Sequence, residues 1–350
     1  MPRWSLPVFA ACAAVTLIHV GLQTPAPAGD APPHHVQGGF RNLDPRYSYP
    51  LLFRARHVFR GAPHRGPLPL VLANDGAELR ANGHEPTVTW VGHATLLIQI
   101  DGVNILTDPH FGERTSPVSF AGPRRLVPPG IAFADLPPID AVVISHDHYD
   151  HLDRETVQRL AREHHSTFFV PLGLKAWFAG IGVANAIELD WWESRAFRGL
   201  TVTCTPAQHS SGRGLHDQDA RLWSSWTLSG RARRVYFAGD TGYFSGFAEI
   251  GRRFHPDVAL LPIGGYEPAG FRDEHLSPLD AAYAFEDLGA RVLIPISYGS
   301  FPLSYEPLDA PPAWMRQVAR ERGLSVGGPT DQCRVVLLDH GDTVHFRKRG

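Results

Sequence analysis

One run of residues constrains this chain more than any other: Ser145-His146-Asp147-His148-Tyr149-Asp150-His151-Leu152-Asp153. It places three histidines within six positions, directly after the apolar residues 139–144. The pattern predicts a buried strand that ends in a loop of metal ligands, because Zn²⁺ binds imidazole nitrogen and carboxylate oxygen where no thiolate is offered. The alternative is an ordinary polar loop in a chain with 19 histidines among 350 residues, and it does not account for this order after a strand.

Two further predicted strands end in residues of the same kind. Residues 200–206 indicate a strand followed by His209, and residues 234–238 indicate one followed by Asp240. Strand ends of a layered sheet converge at one rim, so residues distant in sequence can meet there. Taken alone, a strand-end histidine or a turn aspartate is more often structural. Their combination with the first run favours a shared metal site.

The spacing within the first run suggests how its side chains divide between ions. Residues two apart in an extended segment point the same way, so His146 and His148 can bind one cation together. Asp150 and His151 lie beyond a bend and are candidates for a second ion. We therefore expect at least one metal ion and leave a second open.

The rest of the chain alternates predicted strands with predicted helices. Examples are strands over residues 87–100, 200–205 and 333–338, and a helix over residues 278–288 that begins at Ser277-Pro278, a favourable cap and first-turn pair. Alternation without a break in composition predicts one layered α/β domain.

Further motifs connect these elements to a known family. The runs that carry the resemblance are Trp90-Val91-Gly92-His93-Ala94-Thr95, Thr107-Asp108-Pro109, Leu136-Pro137-Pro138-Ile139-Asp140, Val170-Pro171-Leu172-Gly173-Leu174, Glu188-Leu189-Asp190-Trp191-Trp192-Glu193, Thr205-Pro206-Ala207-Gln208-His209, Gly239-Asp240-Thr241-Gly242-Tyr243 and Gly264-Gly265-Tyr266-Glu267-Pro268. With the histidine run, they resemble the metallo-β-lactamase superfamily, and most of all its branch with N-acylphosphatidylethanolamine-hydrolysing phospholipase D. The resemblance implies a four-layer αββα sandwich, as a hydrolase domain over residues 39–350.

The resemblance also implies two zinc sites. The implied ligands are His146, His148 and His209 for one ion, Asp150 and His151 for the other, and Asp240 as the bridge between them. Asp150 would also orient the attacking water. His93 and Asp108 are expected to support the ligands, and Asp147 and Tyr149 to have no metal role.

The second zinc site departs from the family pattern. Relatives complete it with a histidine in a His-[Trp/Tyr]-Gly-[Thr/Ser]-Phe run, where this chain has Ser297-Tyr298-Gly299-Ser300-Phe301. A serine hydroxyl is a poor zinc ligand beside imidazole. His275 lies in a segment where the family places a histidine, and we expect it to hydrogen-bond a phosphoryl oxygen or protonate the leaving group. A surface histidine before a helix is an equally good interpretation of His275.

The implied activity is zinc-dependent phosphodiester hydrolysis of the phospholipase D type, on lipids like N-acylphosphatidylethanolamine. Two alternatives remain open: the same metal chemistry on a lactone, thioester or β-lactam, and a metal-binding protein that has lost catalysis. A lipid enzyme needs an apolar groove beside the metal. Trp191, Trp192, Phe301 and the loop of Tyr266 are the candidates for lining it.

Composition excludes one class of partner. The formal net charge is −2 and no long Lys/Arg run occurs, whereas a nucleic-acid enzyme would show a basic surface. We expect a small-molecule or phospholipid substrate, association with a membrane and no nucleic acid, and we leave a homodimer open. Pairing of Cys204 with Cys333 is also left open.

Residues 1–38 differ from the rest of the chain. Trp4 through Leu22 are almost uncharged and apolar, and the residues that follow are rich in Pro, Ala and Gly. Such a leader predicts a signal peptide or a membrane anchor. Ala26-Pro27-Ala28 resembles a cleavage site. We therefore expect an exported or membrane-anchored protein with its hydrolase domain on the periplasmic or extracytoplasmic side.

Overall fold

Two mixed β-sheets form the centre of the protein, which the computed structural model describes for residues 32–44, 62, 64–214 and 216–347. The predicted leader over residues 4–22 lies outside this range. Among the described residues, none of the helices has both the length and the apolarity needed to cross a membrane.

A short hairpin begins the described chain. Its antiparallel strands are β1 (His35–Val36) and β2 (Gly39–Phe40). Gly38 takes a φ of 83° in the turn between them, a conformation that glycine adopts without steric cost.

The first large sheet is antiparallel on one side and parallel on the other. Its strands are β3 (Thr87–Gly92), β4 (Thr95–Ile100), β5 (Val103–Thr107), β6 (Ala141–Val143), β7 (Thr167–Pro171), β8 (Ala186–Leu189) and β17 (Thr343–His345). Their spatial order is β17-β3-β4-β5-β6-β7-β8, and the pairs from β5 to β8 are parallel.

The second large sheet repeats that plan. Its strands are β9 (Ser194–Phe197), β10 (Leu200–Thr205), β11 (Ser225–Ser229), β12 (Arg234–Phe237), β13 (Val258–Pro262), β14 (Val292–Ile296), β15 (Val326–Gly327) and β16 (Val335–Val336). Their order is β15-β16-β14-β13-β12-β11-β10-β9, with parallel pairs from β12 to β15.

Five of the six α-helices among the described residues lie between strands of the parallel parts of the two sheets, and the first precedes β3. The α-helices of the described residues are α1 (Ala77–Ala81), α2 (Arg154–Glu163), α3 (Lys175–Gly180), α4 (Gly246–Phe254), α5 (Pro278–Leu288) and α6 (Ala310–Glu321). Parallel neighbours need such crossovers because a tight turn cannot return the chain to the same end of the sheet. Ser277 caps α5 through a capping box with Asp280, and Pro278 is its first residue, as the sequence predicts.

Side chains along each strand point alternately to the two faces of the sheet, and each face packs against a different layer. On β4, Leu96 and Ile98 face the core between the two sheets, whereas Leu97 faces the apolar cluster that α1, α2 and α3 cover. The inter-sheet core continues on to residues of α4, α5 and α6. The predicted αββα sandwich is confirmed. Cys204 and Cys333 are both free thiols in it.

Candidate metal centre

The ends of several strands carry the predicted ligands to one edge of the two sheets. His146 follows β6, His209 follows β10 and Asp240 follows β12. Ring nitrogens of three histidines lie close together. Nε2 of His146 lies 3.0 Å from Nδ1 of His148, and Nε2 of His209 lies 3.2 Å from the same Nδ1. The structure thus brings together three imidazoles from two segments of the chain.

Hydrogen bonds show which ring nitrogen carries the proton in two of these histidines. Ser145 Oγ donates to the Asp108 carboxylate, so it accepts from Nδ1 of His146 at 2.8 Å. Nδ1 of His209 donates to the Glu274 carbonyl at 3.0 Å. In the neutral rings Nε2 is then left with a lone pair. Both Nε2 atoms point into the group of three imidazoles, as a metal ion would require.

A second group lies beside the first and contains two carboxylates. Nδ1 of His151 donates to Asp108 at 2.7 Å. Its Nε2 is buried and has no hydrogen-bond partner among the described residues. Oδ2 of Asp150 and Oδ2 of Asp240 nevertheless lie only 3.2 and 3.1 Å from that nitrogen. An orphaned nitrogen facing two carboxylate oxygens fits a cation between them.

The electrostatics of the centre favour positive charge. Burial, followed by the neighbouring imidazoles, lowers the pKa of His146 and of His209 well below the ordinary value. Burial also opposes ionisation of Asp150 and Asp240, but His151 outweighs it and holds the pKa of both well below their usual range. The two carboxylates in turn overcome burial and raise the pKa of His151 well above its ordinary value. Either a proton on His151 or a bound metal ion can supply the positive charge that balances these two carboxylates.

His275 reaches the centre, which the sequence alone left undecided. Its Nε2 lies 3.5 Å from Oδ2 of Asp240, and its Nδ1 donates to the Phe271 carbonyl at 3.2 Å. Donor atoms of His209, Asp240 and His275 lie within 4.8 Å of one another. Ser297, directly after β14, donates from Oγ to Oδ1 of Asp240 at 3.4 Å. His275 therefore faces the same Asp240 carboxylate as Ser297, the residue that stands where relatives have a histidine.

Supporting residues surround the ligands. His93 lies with Nε2 3.0 Å from Oδ2 of Asp150. Asp147 instead accepts from Arg221 at 2.7 Å and from the backbone of Gly212, and the Tyr149 hydroxyl donates to a carbonyl. These hydrogen bonds join the two side chains to partners other than the metal ligands.

Sequence reasoning missed one supporting residue. Asn42 donates to the carbonyl of His209 at 2.7 Å and accepts from its N–H at 3.0 Å, which fixes the backbone of that ligand. From the sequence alone this asparagine had no assigned role. The nearest signal was the run Gly38-Gly39-Phe40-Arg41-Asn42, because an asparagine after a hairpin can pair with the backbone of a distant loop.

A cavity of about 640 Å³ opens on to the centre. Its wall contains apolar and polar side chains together with the predicted ligands His148, Asp150 and Asp240. The apolar lining includes Pro117, Pro123, Phe271, Phe301, Leu303, Pro307, Leu308 and Pro311, and the polar lining includes His64, Arg213, Gln218 and Glu274.

The prediction of the groove is confirmed for Phe301 and for the loop of Tyr266, and it is wrong for the two tryptophans. Phe301 lines the cavity together with Gly264 and Gly265 of that loop, but Trp191, Trp192 and the Tyr266 side chain are not among the described residues of its wall. Trp191 is buried in the core, where its Nε1 donates to a carbonyl at 2.7 Å. Trp192 stacks on Phe254, and the ring of Tyr266 packs against the indole of a tryptophan on α6.

Comparison with known proteins agrees with this fold. The model of the β-lactamase superfamily domain matches residues 103–298, more than half of the chain. The N-acyl-phosphatidylethanolamine-hydrolyzing phospholipase D 1 of Caenorhabditis elegans is 44% identical over 228 residues, which cover 61% of this chain and 64% of that protein.

Two further matches span nearly the whole length of the other protein. A UPF0173 metal-dependent hydrolase of Methanopyrus kandleri is 31% identical over 73% of this chain and 98% of its own. The structure of Igni18, a metallo hydrolase of Ignicoccus hospitalis, is 26% identical with a TM-score of 0.58, over 75% of this chain and 99% of its own. The chain belongs to the metallo-β-lactamase superfamily, and it is a metal-dependent hydrolase related to N-acylphosphatidylethanolamine-hydrolysing phospholipase D.

Proposed function

We propose that the protein is a zinc-dependent phosphodiesterase of the phospholipase D type that acts on lipids like N-acylphosphatidylethanolamine. The observation that carries the proposal is an apolar cavity that ends at a histidine and aspartate centre. A long apolar chain fits such a wall, and the phosphodiester would then lie against the ligands. The likeness to the phospholipase D 1 of C. elegans supports the same substrate class.

The ligands divide between two zinc ions in this proposal. His146, His148 and His209 hold the first, because neutral imidazoles and an adjacent carboxylate suit zinc. Asp150 and His151 belong to the second, with Asp240 as the bridge. When bound, zinc would lower the pKa of its water far below the value in bulk solvent, to about 7, and so supply hydroxide at neutral pH.

We assign His275 to the second ion as a ligand in place of the family histidine at Ser297. The hydrogen bond from its Nδ1 to the Phe271 carbonyl leaves a lone pair on Nε2, which a ligand needs and an acid does not. The role as a general acid remains the alternative. Removing His275 as a ligand lowers the metal content, whereas removing it as an acid lowers turnover at full metal content.

The protein groups around the reacting phosphodiester have distinct tasks. Asp150, held by His93 at 3.0 Å, takes a proton from the attacking water and orients it. The new bond joins the water oxygen to phosphorus, and the bond from phosphorus to the ethanolamide oxygen breaks. The leaving oxygen takes up the proton that Asp150 received from the water, so that the products are phosphatidic acid and an N-acylethanolamine.

A substrate panel tests the proposal. Zinc-loaded protein is given an N-acylated phospholipid, a generic phosphodiester and a lactone, and we expect the lipid to be turned over fastest. His148→Ala and Asp240→Asn should lose bound metal and hydrolysis together, whereas His84→Ala, at an exposed histidine, should lose neither. Hydrolysis of the lactone alone favours the second candidate, and full zinc with no turnover of any substrate favours lost catalysis.

Location is part of the proposal. The leader at residues 4–22 would export the chain or anchor it, and the hydrolase domain would then meet lipid at a membrane surface. The proposal includes no nucleic-acid partner, and a homodimer stays open.

A further inference from the structure

A second group of metal-binding side chains lies at the N-terminal hairpin. Nε2 of His34 lies 2.6 Å from Oδ1 of Asp190, and Nε2 of His35 lies 2.8 Å from Oδ2 of the same carboxylate. One donor atom from each residue falls within 4.8 Å of the other two. The proposed function uses none of these residues, and the resemblance gives no metal role to Asp190, although Asp190 lies in one of the runs that carry it.

The three side chains are held in position by their surroundings. The His34 ring is buried and stacks on Trp191 with 4.2 Å between ring centroids. The His35 ring packs edge-on against Phe40 at 5.1 Å. The backbone N–H of Trp191 donates to Oδ1 of Asp190 at 2.7 Å, which fixes the carboxylate. A preorganised donor set of this kind loses little side-chain entropy when an ion binds.

We propose that His34, His35 and Asp190 bind one transition-metal ion of the zinc type, in addition to the metal centre. Two imidazoles and one carboxylate are a donor set that zinc uses, with water at the fourth position. Donors around a tetrahedral zinc ion are about 3.3 Å apart, given bond lengths of about 2.0–2.1 Å. The nitrogen–oxygen pairs therefore have to open by roughly 0.5–0.7 Å, about twice the roughly 0.3 Å that the His146 and His148 nitrogens at 3.0 Å would have to open.

Such an ion would fasten the hairpin to the loop after β8. The same segment continues to Asn42, which pairs with the backbone of His209 through two hydrogen bonds. The ion would thus hold in place the segment that orients a ligand of the metal centre. The competing interpretation needs no metal: each imidazole donates its Nε2–H to one oxygen of Asp190.

Glutamine substitutions separate the two interpretations. In His34→Gln/His35→Gln the side-chain amides can still donate hydrogen bonds to Asp190, but they are poor zinc ligands. The matched control is His164→Gln/His165→Gln, an adjacent histidine pair at the end of α2 that belongs to no such group among the described residues. Metal content is measured on the full chain after loading with Zn²⁺ and removal of excess by gel filtration, and the visible spectrum is recorded after loading with Co²⁺.

We expect the hairpin variant to hold one ion fewer per chain than the wild type and than the control. In a background that carries His148→Ala and Asp240→Asn, which removes ligands of both ions of the metal centre, the intact hairpin should still bind one Co²⁺ with a tetrahedral spectrum, and the hairpin variant none. Equal metal content in the wild type and the hairpin variant would show that the two histidines only donate hydrogen bonds to Asp190, and the proposal would be wrong. If the double variant does not fold, His35→Gln at the half-buried ring serves as the same test. Because metal binding here does not depend on turnover, failure of the proposed function leaves this test intact.

Discussion

Asp108→Asn should weaken metal binding although Asp108 is not a predicted ligand. Asp108 is fully buried and accepts three hydrogen bonds: from the Ser145 backbone at 2.7 Å, from Ser145 Oγ at 2.5 Å and from Nδ1 of His151 at 2.7 Å. Two of these donors meet at the same oxygen, Oδ2. An asparagine offers only one accepting oxygen, so at least one donor is left facing an N–H group.

The consequence for His151 follows from its tautomer. If the amide nitrogen replaces Oδ2, His151 must accept at Nδ1 and carry its proton on Nε2, the atom that faces Asp150 and Asp240. A protonated Nε2 cannot bind metal. Loss of such a supporting carboxylate costs about 10–100-fold in metal affinity, or about 1.4–2.7 kcal/mol. An unsatisfied buried donor should lower the free energy of unfolding of the metal-free protein by a further 1–3 kcal/mol or so.

The assay is a competitive titration of Zn²⁺ between the protein and a chromophoric chelator, with urea unfolding of the metal-free protein alongside. Asp140→Asn is the matched control, because Asp140 also accepts from a backbone N–H and pairs with Arg198, but away from the metal centre. A folded Asp108→Asn variant whose zinc affinity stays within about twofold of the wild type would refute the tautomer argument.

Three further predictions concern the second ion, acid stability and the leader. Ser297→His should tighten the second zinc, and wild type should lose that ion on dialysis before the first; two ions equally resistant to dialysis in wild type, with or without His275→Ala, would contradict this. Burial lowers the pKa of His110 to about 4 and that of His340 to about 3, so the unfolded chain takes up protons that the folded chain refuses. The free energy of unfolding of metal-free protein in urea should therefore fall as pH drops below about 6.5, by up to about 1.4 kcal/mol per pH unit for each histidine, and a flat profile would count against it. Residues 1–40 fused to a reporter that is active only after export should give signal, and a reporter retained in the cytoplasm would disprove the expected localisation.

Sequence patterns predicted the elements that have strong local signals. The strand over Leu200–Thr205 and the helix over Pro278–Leu288 are found where they were expected, because one alternates apolar residues with threonine and the other starts with a cap. The predicted strand over residues 87–100 was wrong in one respect, since it is the hairpin of β3 and β4. Its turn lacks an Asn-Gly signal and instead uses positive φ angles at Gly92 and His93.

Weaker elements were missed for a related reason. Strand β9, Ser194–Phe197, has polar and exposed residues and owes its conformation to pairing with β10. Of the strand predicted over residues 333–338, only Val335–Val336 pairs in the sheet. Pairing between strands distant in sequence is decided by the tertiary fold, which local patterns do not encode.

At the metal centre, too, residues with a local sequence signal could be predicted and residues placed by tertiary contacts could not. His146 and His209 could be predicted because each follows an apolar strand. The position of His275 depends on how its loop folds back to Asp240, and a single histidine in a loop gives no sign of that. The support from Asn42 likewise depends on a contact between the first described segment and a loop more than 160 residues away.

The most direct test of the account is hydrolysis of an N-acylphosphatidylethanolamine by zinc-loaded protein in water enriched in ¹⁸O. If the water oxygen attacks phosphorus, phosphatidic acid carries the label and the N-acylethanolamine does not. Removal of zinc with a chelator should abolish both products, and added zinc should restore them. Label in the N-acylethanolamine, or hydrolysis of a lactone or thioester with no release of phosphatidic acid, would contradict the proposed phosphodiesterase.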